Sequence, residues 1–132
     1  MAKKFRVGNA ILAEYVTKGD RNKHVLVNVY SGDVIVNAFP VDLGFGFYVE
    51  ILRPTPDAMP PEFSVQLSFG NSPILRGRAS GSSPIDSPTI IFFVPHLQFT
   101  ASEPGEIEIT LSAPGFQKTT ALKKRIYQDV FS

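Results

Sequence analysis

The side chains that most often carry chemistry are sparse in this sequence. The 132 residues include two histidines and no cysteine, so thiolate metal ligands and cysteine nucleophiles are excluded together. His24 follows Lys23 at the start of an alternating run, and His96 follows Pro95 at the end of an apolar run. Two isolated histidines do not supply a metal-ligand set by themselves. We therefore predict neither a metal site nor a cofactor.

Hydrolytic chemistry lacks a recognisable nucleophile. Serines are plentiful, but the G-x-S-x-G elbow that places a nucleophile on a sharp turn is absent. Glu106 and Glu108 share one face of a predicted strand, where a carboxylate pair can do acid–base work but a solvated outer face is the simpler interpretation. Asp57 and Asp86 lack the spacing of a calcium-binding loop. We predict no catalytic residue and no enzyme; a hydrolase that uses His96 is the third-ranked hypothesis.

The charge balance does not favour a polyanionic partner. Thirteen basic and 12 acidic side chains leave a net charge of +1, which is too small for a field that recruits nucleic acid or an anionic membrane. Basic residues cluster at 3–6 and 123–125, where they serve solubility. Arg76 and Arg78 share one face of a short predicted strand and are interpreted as protection of a sheet edge. We predict neither a membrane nor a nucleic-acid partner.

No segment has the pattern of an export signal or a membrane span. The basic start is followed by an apolar stretch that Gly8, Asn9 and Glu14 interrupt, unlike a signal-peptide core. No window approaches the roughly 18 uninterrupted apolar residues of a spanning helix. The absence of cysteine fits a reducing compartment, and we predict a cytoplasmic location.

The elements that must position these residues are short strands. The run His24 to Phe39 alternates apolar and polar residues on both sides of Ser31-Gly32, a pattern that predicts a β-hairpin. A purely aliphatic face of this hairpin must be covered by a second layer. That face holds Val25, Val27, Val29, Val34, Val36 and Ala38.

The rest of the chain continues this pattern. Alternating or continuous apolar runs occupy residues 43–52, 62–69, 89–94 and 106–112. Gly44 and Gly46, on one face, predict close approach of another backbone or a bend, Pro95 ends a run, and Pro104-Gly105 predicts a type II turn. No helical period is sustained. We predict one all-β domain over residues 1–132, an antiparallel two-sheet sandwich of about eight strands with immunoglobulin-like, Greek-key wiring.

Several stretches of the sequence resemble a pattern found in a family of small proteins. They are Ala13-Glu14-Tyr15, the run KHVLVNVYSGDVIV from Lys23 to Val36, Phe39-Pro40, and the E-P-G-E turn within 99–111. The chain resembles a widespread bacterial family of uncharacterised small β-sandwich proteins with a G-K-x-x-x-x-G-V-Y-x-G-D-I-x-V run ending in F-P. It departs from that pattern at Asn22 and Asn28, where glycine is usual. The resemblance implies an immunoglobulin-like or similar sandwich but no activity, so no functional residue carries over.

Contact with a partner is the leading functional hypothesis. We predict a non-enzymatic protein that acts through protein–protein contacts, either with another protein or with a second copy of itself as a homodimer. The candidate surface joins one end of the predicted hairpin to two loops and includes Asp33, Arg53, Asp57 and Asp86. The alternative is a small-ligand or carbohydrate-binding module whose platform is formed by Tyr15, Tyr30 and Tyr48.

Overall fold

Every regular element in the described part of the chain is a β-strand. The computed structural model describes residues 5–21, 23–55, 62–80, 88–114 and 116–129. Within these ranges the strands are β1 (Arg6–Lys18), β2 (His24–Val29), β3 (Val34–Val36), β4 (Val41–Leu52), β5 (Glu62–Phe69), β6 (Ser72–Ser80), β7 (Thr89–Ala101), β8 (Gly105–Ala113) and β9 (Phe116–Gln128). The all-β prediction is confirmed, with nine strands where about eight were expected.

The strands form two sheets. The four-stranded sheet has the order β2-β1-β4-β7, and all of its pairs are antiparallel. The five-stranded sheet has the order β3-β9-β8-β5-β6. Its β3–β9 pair is parallel, an exception to the predicted antiparallel arrangement, and its other pairs are antiparallel.

One hydrophobic core draws side chains from both sheets. Phe45 and Phe47 of β4 are fully buried, as the alternation of residues 43–52 predicted. The Phe63 ring of β5 stacks on Phe92 of β7 with centroids 6.0 Å apart, so this contact joins the two sheets. Phe63 also meets Phe116 edge to face at 5.4 Å, an arrangement that aromatic rings favour.

The predicted hairpin across Ser31-Gly32 is wrong. β2 pairs with β1 in the four-stranded sheet, whereas β3 pairs with β9 in the five-stranded sheet. Gly32 has a φ of 70°, a conformation that glycine adopts without steric cost. The chain therefore passes from one sheet to the other at this turn. Alternation within the run could not reveal that its two halves have different partners.

The orientation of β2 follows from a second, smaller apolar cluster. Leu26 packs against this cluster, which lies outside the main core and contains the buried residues Tyr48 and Ile91. The His24 ring lies 5.1 Å from the Tyr48 ring and 4.9 Å from the Phe93 ring. Because successive strand residues point to opposite sides, the odd-numbered valines of β2 face away from the molecule. Their predicted burial is wrong, whereas Val34 and Val36 are buried as predicted.

β1 and β7 approach each other across Gly46 of the intervening β4. A Cβ atom at Gly46 would lie 2.5 Å from the Pro95 carbonyl oxygen and 2.9 Å from the Val16 nitrogen. The β4–β7 register shifts beside Gly46, and His96 Nδ1 lies 3.0 Å from the Glu14 carbonyl oxygen. A carbonyl oxygen only accepts, so Nδ1 carries the proton and donates. The close backbone approach predicted for this glycine is confirmed.

Two predictions about chain breaks are corrected. Pro95 does not end its run, because β7 continues to Ala101 as an edge strand and Pro95 lies at a register shift. Edges and bulges are the places where a strand tolerates proline. Gly105 lacks the positive φ that a type II turn requires. It begins β8 instead, and a Cβ there would lie 2.6 Å from the Phe69 ring.

Candidate functional site

The structure describes two of the four predicted surface residues, Asp33 and Arg53, and these two lie apart. Asp33 lies beside Arg125 near the start of β8, whereas the Arg53 nitrogen donates to the Pro88 carbonyl oxygen beyond the far end of β4. The 12 residues of β4 span about 36 Å at the usual rise of a strand. The other two members, Asp57 and Asp86, lie outside the described residues.

Asp33 forms an ion pair within the chain. The Arg125 Nε and Nη2 atoms donate to Asp33 Oδ2 at 3.0 and 2.7 Å, and the Arg125 backbone nitrogen donates to Oδ1 at 3.1 Å. These hydrogen bonds, with the guanidinium charge, hold the pKa of Asp33 below its ordinary value. Asp33 precedes β3 directly, so the pair fastens β3 to β9 and leaves this carboxylate little capacity for an external partner.

The three tyrosines do not form a common exposed platform. Tyr48 is 9% exposed and its hydroxyl donates to Glu50 Oε1 at 2.8 Å. The Tyr30 hydroxyl donates to the Gly44 carbonyl oxygen at 2.9 Å. Burial, the first cause in each case, raises the pKa of both phenols to about 12. Only Tyr15, at 44% exposure, presents a large part of its ring to solvent.

A shallow groove beside His96 is lined by several titratable groups. The groove has a volume of about 340 Å³, and Glu14, Tyr30 and Asp42 also line it. Asp42 accepts a hydrogen bond from Thr100 at 2.6 Å, and Glu14 accepts one from an asparagine amide at 3.1 Å. The described lining includes neither serine nor threonine as a nucleophile.

Neither a metal-binding cluster nor a membrane-spanning helix occurs within the described ranges. No group of three or more His, Cys, Asp and Glu residues there is arranged so that it could hold a metal ion. No helix in the same ranges has the length and apolar character needed to cross a membrane.

The exposed valines of β2 form the most distinctive surface that the sequence did not predict. Val25, Val27 and Val29 are 49%, 42% and 47% exposed. Tyr15 lies directly opposite Val27 on β1, so its ring shares the face of that valine. We call these four residues the valine surface. The sequence shows the spacing of the valines, but it does not show which face of β2 is covered and which is exposed to solvent.

The comparisons with known proteins add no identification. No protein-family model matches this chain, and no curated protein matches it in sequence. The resemblance to a bacterial family of small β-sandwich proteins therefore stays a prediction.

Proposed function

We propose that this protein is a non-enzymatic β-domain that acts through protein–protein contacts, and that a second copy of the chain occupies its valine surface. The observation that carries this proposal is the row of half-exposed valines on β2, an edge strand of its sheet. Contiguous apolar surface of this kind marks interaction sites, whereas singly scattered apolar residues need no such explanation.

The composition of the surface supports an apolar partner. None of its four members is charged, and the combination of aliphatic side chains with one tyrosine resembles the centre of a protein interface. Tyr15 contributes a large ring that is ordered by its neighbour, because the His96 ring lies 5.9 Å from it. A polar or charged ligand would gain little from this surface.

The spacing of the valines supports a symmetric pair. Val25 and Val29 stand two residues on either side of Val27, so a two-fold axis at Val27 would place Val25 of one copy against Val29 of the other. Such an isologous contact uses the same patch on both subunits. Asn28 has a φ of 54°, which disturbs the free edge of β2. Packing of faces therefore suits this strand better than extension of the sheet across its edge.

The association should be weak. Full burial of a valine stabilises by about 1.5–3 kcal/mol, and roughly half of that gain is still available at positions that are half exposed. Six valines in a dimer would then contribute about 5–9 kcal/mol, against an association cost of about 4–15 kcal/mol. The most favourable end of these ranges leaves about 5 kcal/mol, so we expect a dissociation constant no tighter than about 0.2 mM, which suits a transient contact.

We also infer that the two sheets form a sandwich with immunoglobulin-like wiring. The strand orders support this: β5, β8 and β9 correspond to strands C, F and G of one sheet, and β1, β4 and β7 to A, B and E of the other. β6 takes the place of the strand that variable-type domains add beside strand C. A cytoplasmic location stays our proposal on the composition, because a chain without cysteine has no need of an oxidising compartment.

Sedimentation equilibrium tests the proposed contact. The wild type should show a concentration-dependent mass between one and two chains, and Val27→Asp should stay monomeric because it places two carboxylates at the two-fold axis. The matched control is Ile35→Asp, since Ile35 is 58% exposed on β3 of the other sheet. A wild type that is monomeric at millimolar concentration, or equal dissociation by both variants, would overturn the proposal.

A further inference from the structure

The outer face of the five-stranded sheet carries a groove whose chemistry differs from that of the valine surface. Its volume is about 450 Å³, within the range of sites that bind small molecules. Three cationic and three hydroxyl side chains line it, namely Arg76, Arg78, Lys118, Ser64, Thr110 and Ser112.

The register of four adjacent strands assembles this groove. Arg78 of β6 lies opposite Ser64 of β5, which in turn lies opposite Ser112 of β8. Two residues away on each strand, Arg76 lies opposite Gln66, and Gln66 lies opposite Thr110. Neighbouring strands are about 4.8 Å apart, so arginines at one side face hydroxyl and amide groups in the middle. Lys118 of β9 closes the other side of the groove.

Two of these cations have no acidic partner within the described part of the chain. Neither Arg76 nor Lys118 forms an ion pair there, and Arg78 has only a loose, exposed one with Glu62 at 3.7 Å. Elsewhere on the same sheet Lys123 pairs with Glu106 at 3.6 Å and Arg125 pairs with Asp33 at 2.7 Å. Three cations with one loose acidic partner therefore line a single groove, although the chain as a whole carries only +1.

We propose that this groove binds a small phosphorylated molecule, such as a sugar phosphate. Arginine presents its N–H groups in a planar fork that matches the oxygens of a phosphate group, and hydrogen bonds of this charged kind are the strong ones. The serine and threonine hydroxyls and the Gln66 amide both donate and accept, as the hydroxyl groups of a sugar require. The described lining contains no aromatic ring on which a nucleobase could stack. The chemistry therefore favours a sugar phosphate over a single-stranded nucleic acid.

Isothermal titration calorimetry at low ionic strength tests this proposal, with glucose 6-phosphate, inorganic phosphate and glucose as probes. We expect glucose 6-phosphate to bind more tightly than inorganic phosphate, and glucose to show no measurable binding. Arg76→Gln should weaken glucose 6-phosphate binding about tenfold, because it removes a hydrogen-bonded charge from the contact. Lys118→Gln should weaken it as well, since the two side chains lie on opposite sides of the groove.

Lys123→Gln is the matched control, because Lys123 is an exposed cation of the same sheet that pairs with Glu106. It should bind glucose 6-phosphate as the wild type does, and thermal melting should show that all variants are folded. Equal losses in the Arg76 and Lys123 variants would mean general charge attraction and would overturn the site. Tighter binding of a single-stranded oligonucleotide than of glucose 6-phosphate would overturn the choice of ligand.

Discussion

Substitution of Gly46 by alanine tests how β1 and β2, which pair as a hairpin, are held against β4 and β7. The new methyl group would meet the Pro95 carbonyl oxygen at 2.5 Å and the Val16 nitrogen at 2.9 Å. Both atoms belong to the backbone of neighbouring strands, so neither can rotate aside as the end of a flexible side chain would. We therefore expect β1 and β7 to separate locally and the hairpin to lose part of its support.

The magnitude follows from the size of the chain. Overpacking a well-filled site costs about 1–3 kcal/mol, and two backbone clashes place Gly46→Ala near the upper limit. The unfolding entropy of a 132-residue domain is about 0.28 kcal/mol per degree at the usual value per residue. A loss of about 3 kcal/mol should then lower the melting temperature by about 11 °C.

Differential scanning calorimetry measures this shift, and Gly77→Ala is the matched control. No atom lies within 4 Å of a Cβ added at Gly77, which sits on the edge strand β6. The melting temperature of that variant should equal the wild-type value or exceed it by no more than about 3 °C. The nitrogen NMR spectrum of His96 gives a second measurement, because loss of the Glu14 contact should end the preference for the Nδ1-protonated form. Equal melting of the two alanine variants would refute the reasoning.

Three further predictions concern pH and the core. The pKa of Asp33 lies below its ordinary 3.8, so its ion pair with Arg125 stabilises the fold above that pH. This stabilisation disappears as the pH falls through the folded-state pKa. In melting curves recorded at decreasing pH, Asp33→Asn should therefore lose less stability than the wild type. The pKa of Tyr30 and Tyr48 is raised from 10.0 to about 12, so their neutral hydroxyls stabilise the fold below pH 10 and this contribution disappears as the pH rises through 12. Titration of tyrosinate absorbance should show two protons leaving near pH 12 in the wild type and one in Tyr48→Phe, whereas two in the variant would contradict the assignment. Phe63→Ala should cost about 3–5 kcal/mol in urea unfolding because it removes the ring that joins the sheets, and a cost below about 1 kcal/mol would contradict that role.

The sequence predicted burial well where a strand has one face on the main core. Phe63, Val65 and Leu67 of β5 are buried as their alternation indicated, and Ile107 and Ile109 of β8 are as well. The pattern failed in β2, where alternation identifies two faces without saying which one is covered. There the covering is local, because His24 and Leu26 pack on the outside of the four-stranded sheet and leave the valines exposed.

The candidate surfaces were less predictable because they depend on long-range pairing. Asp33 has the features of an exposed loop carboxylate, but its partner Arg125 is 92 residues away. Arg76 and Arg78 were correctly expected to share a strand near a sheet edge. Their association with Lys118 requires the order β6-β5-β8-β9, which no local pattern contains.

Cross-linking through a single engineered cysteine tests the proposed self-association most directly. The chain contains no cysteine, so Val27→Cys provides a unique thiol at the proposed two-fold axis. Under mild oxidation we predict rapid formation of a disulfide-linked dimer, because a two-fold axis at this position brings the two sulfur atoms within bonding reach. Ile35→Cys, on the other sheet at a position that is 58% exposed against 42% for Val27, should form it far more slowly. Equal rates for the two variants would contradict a contact centred on the valine surface.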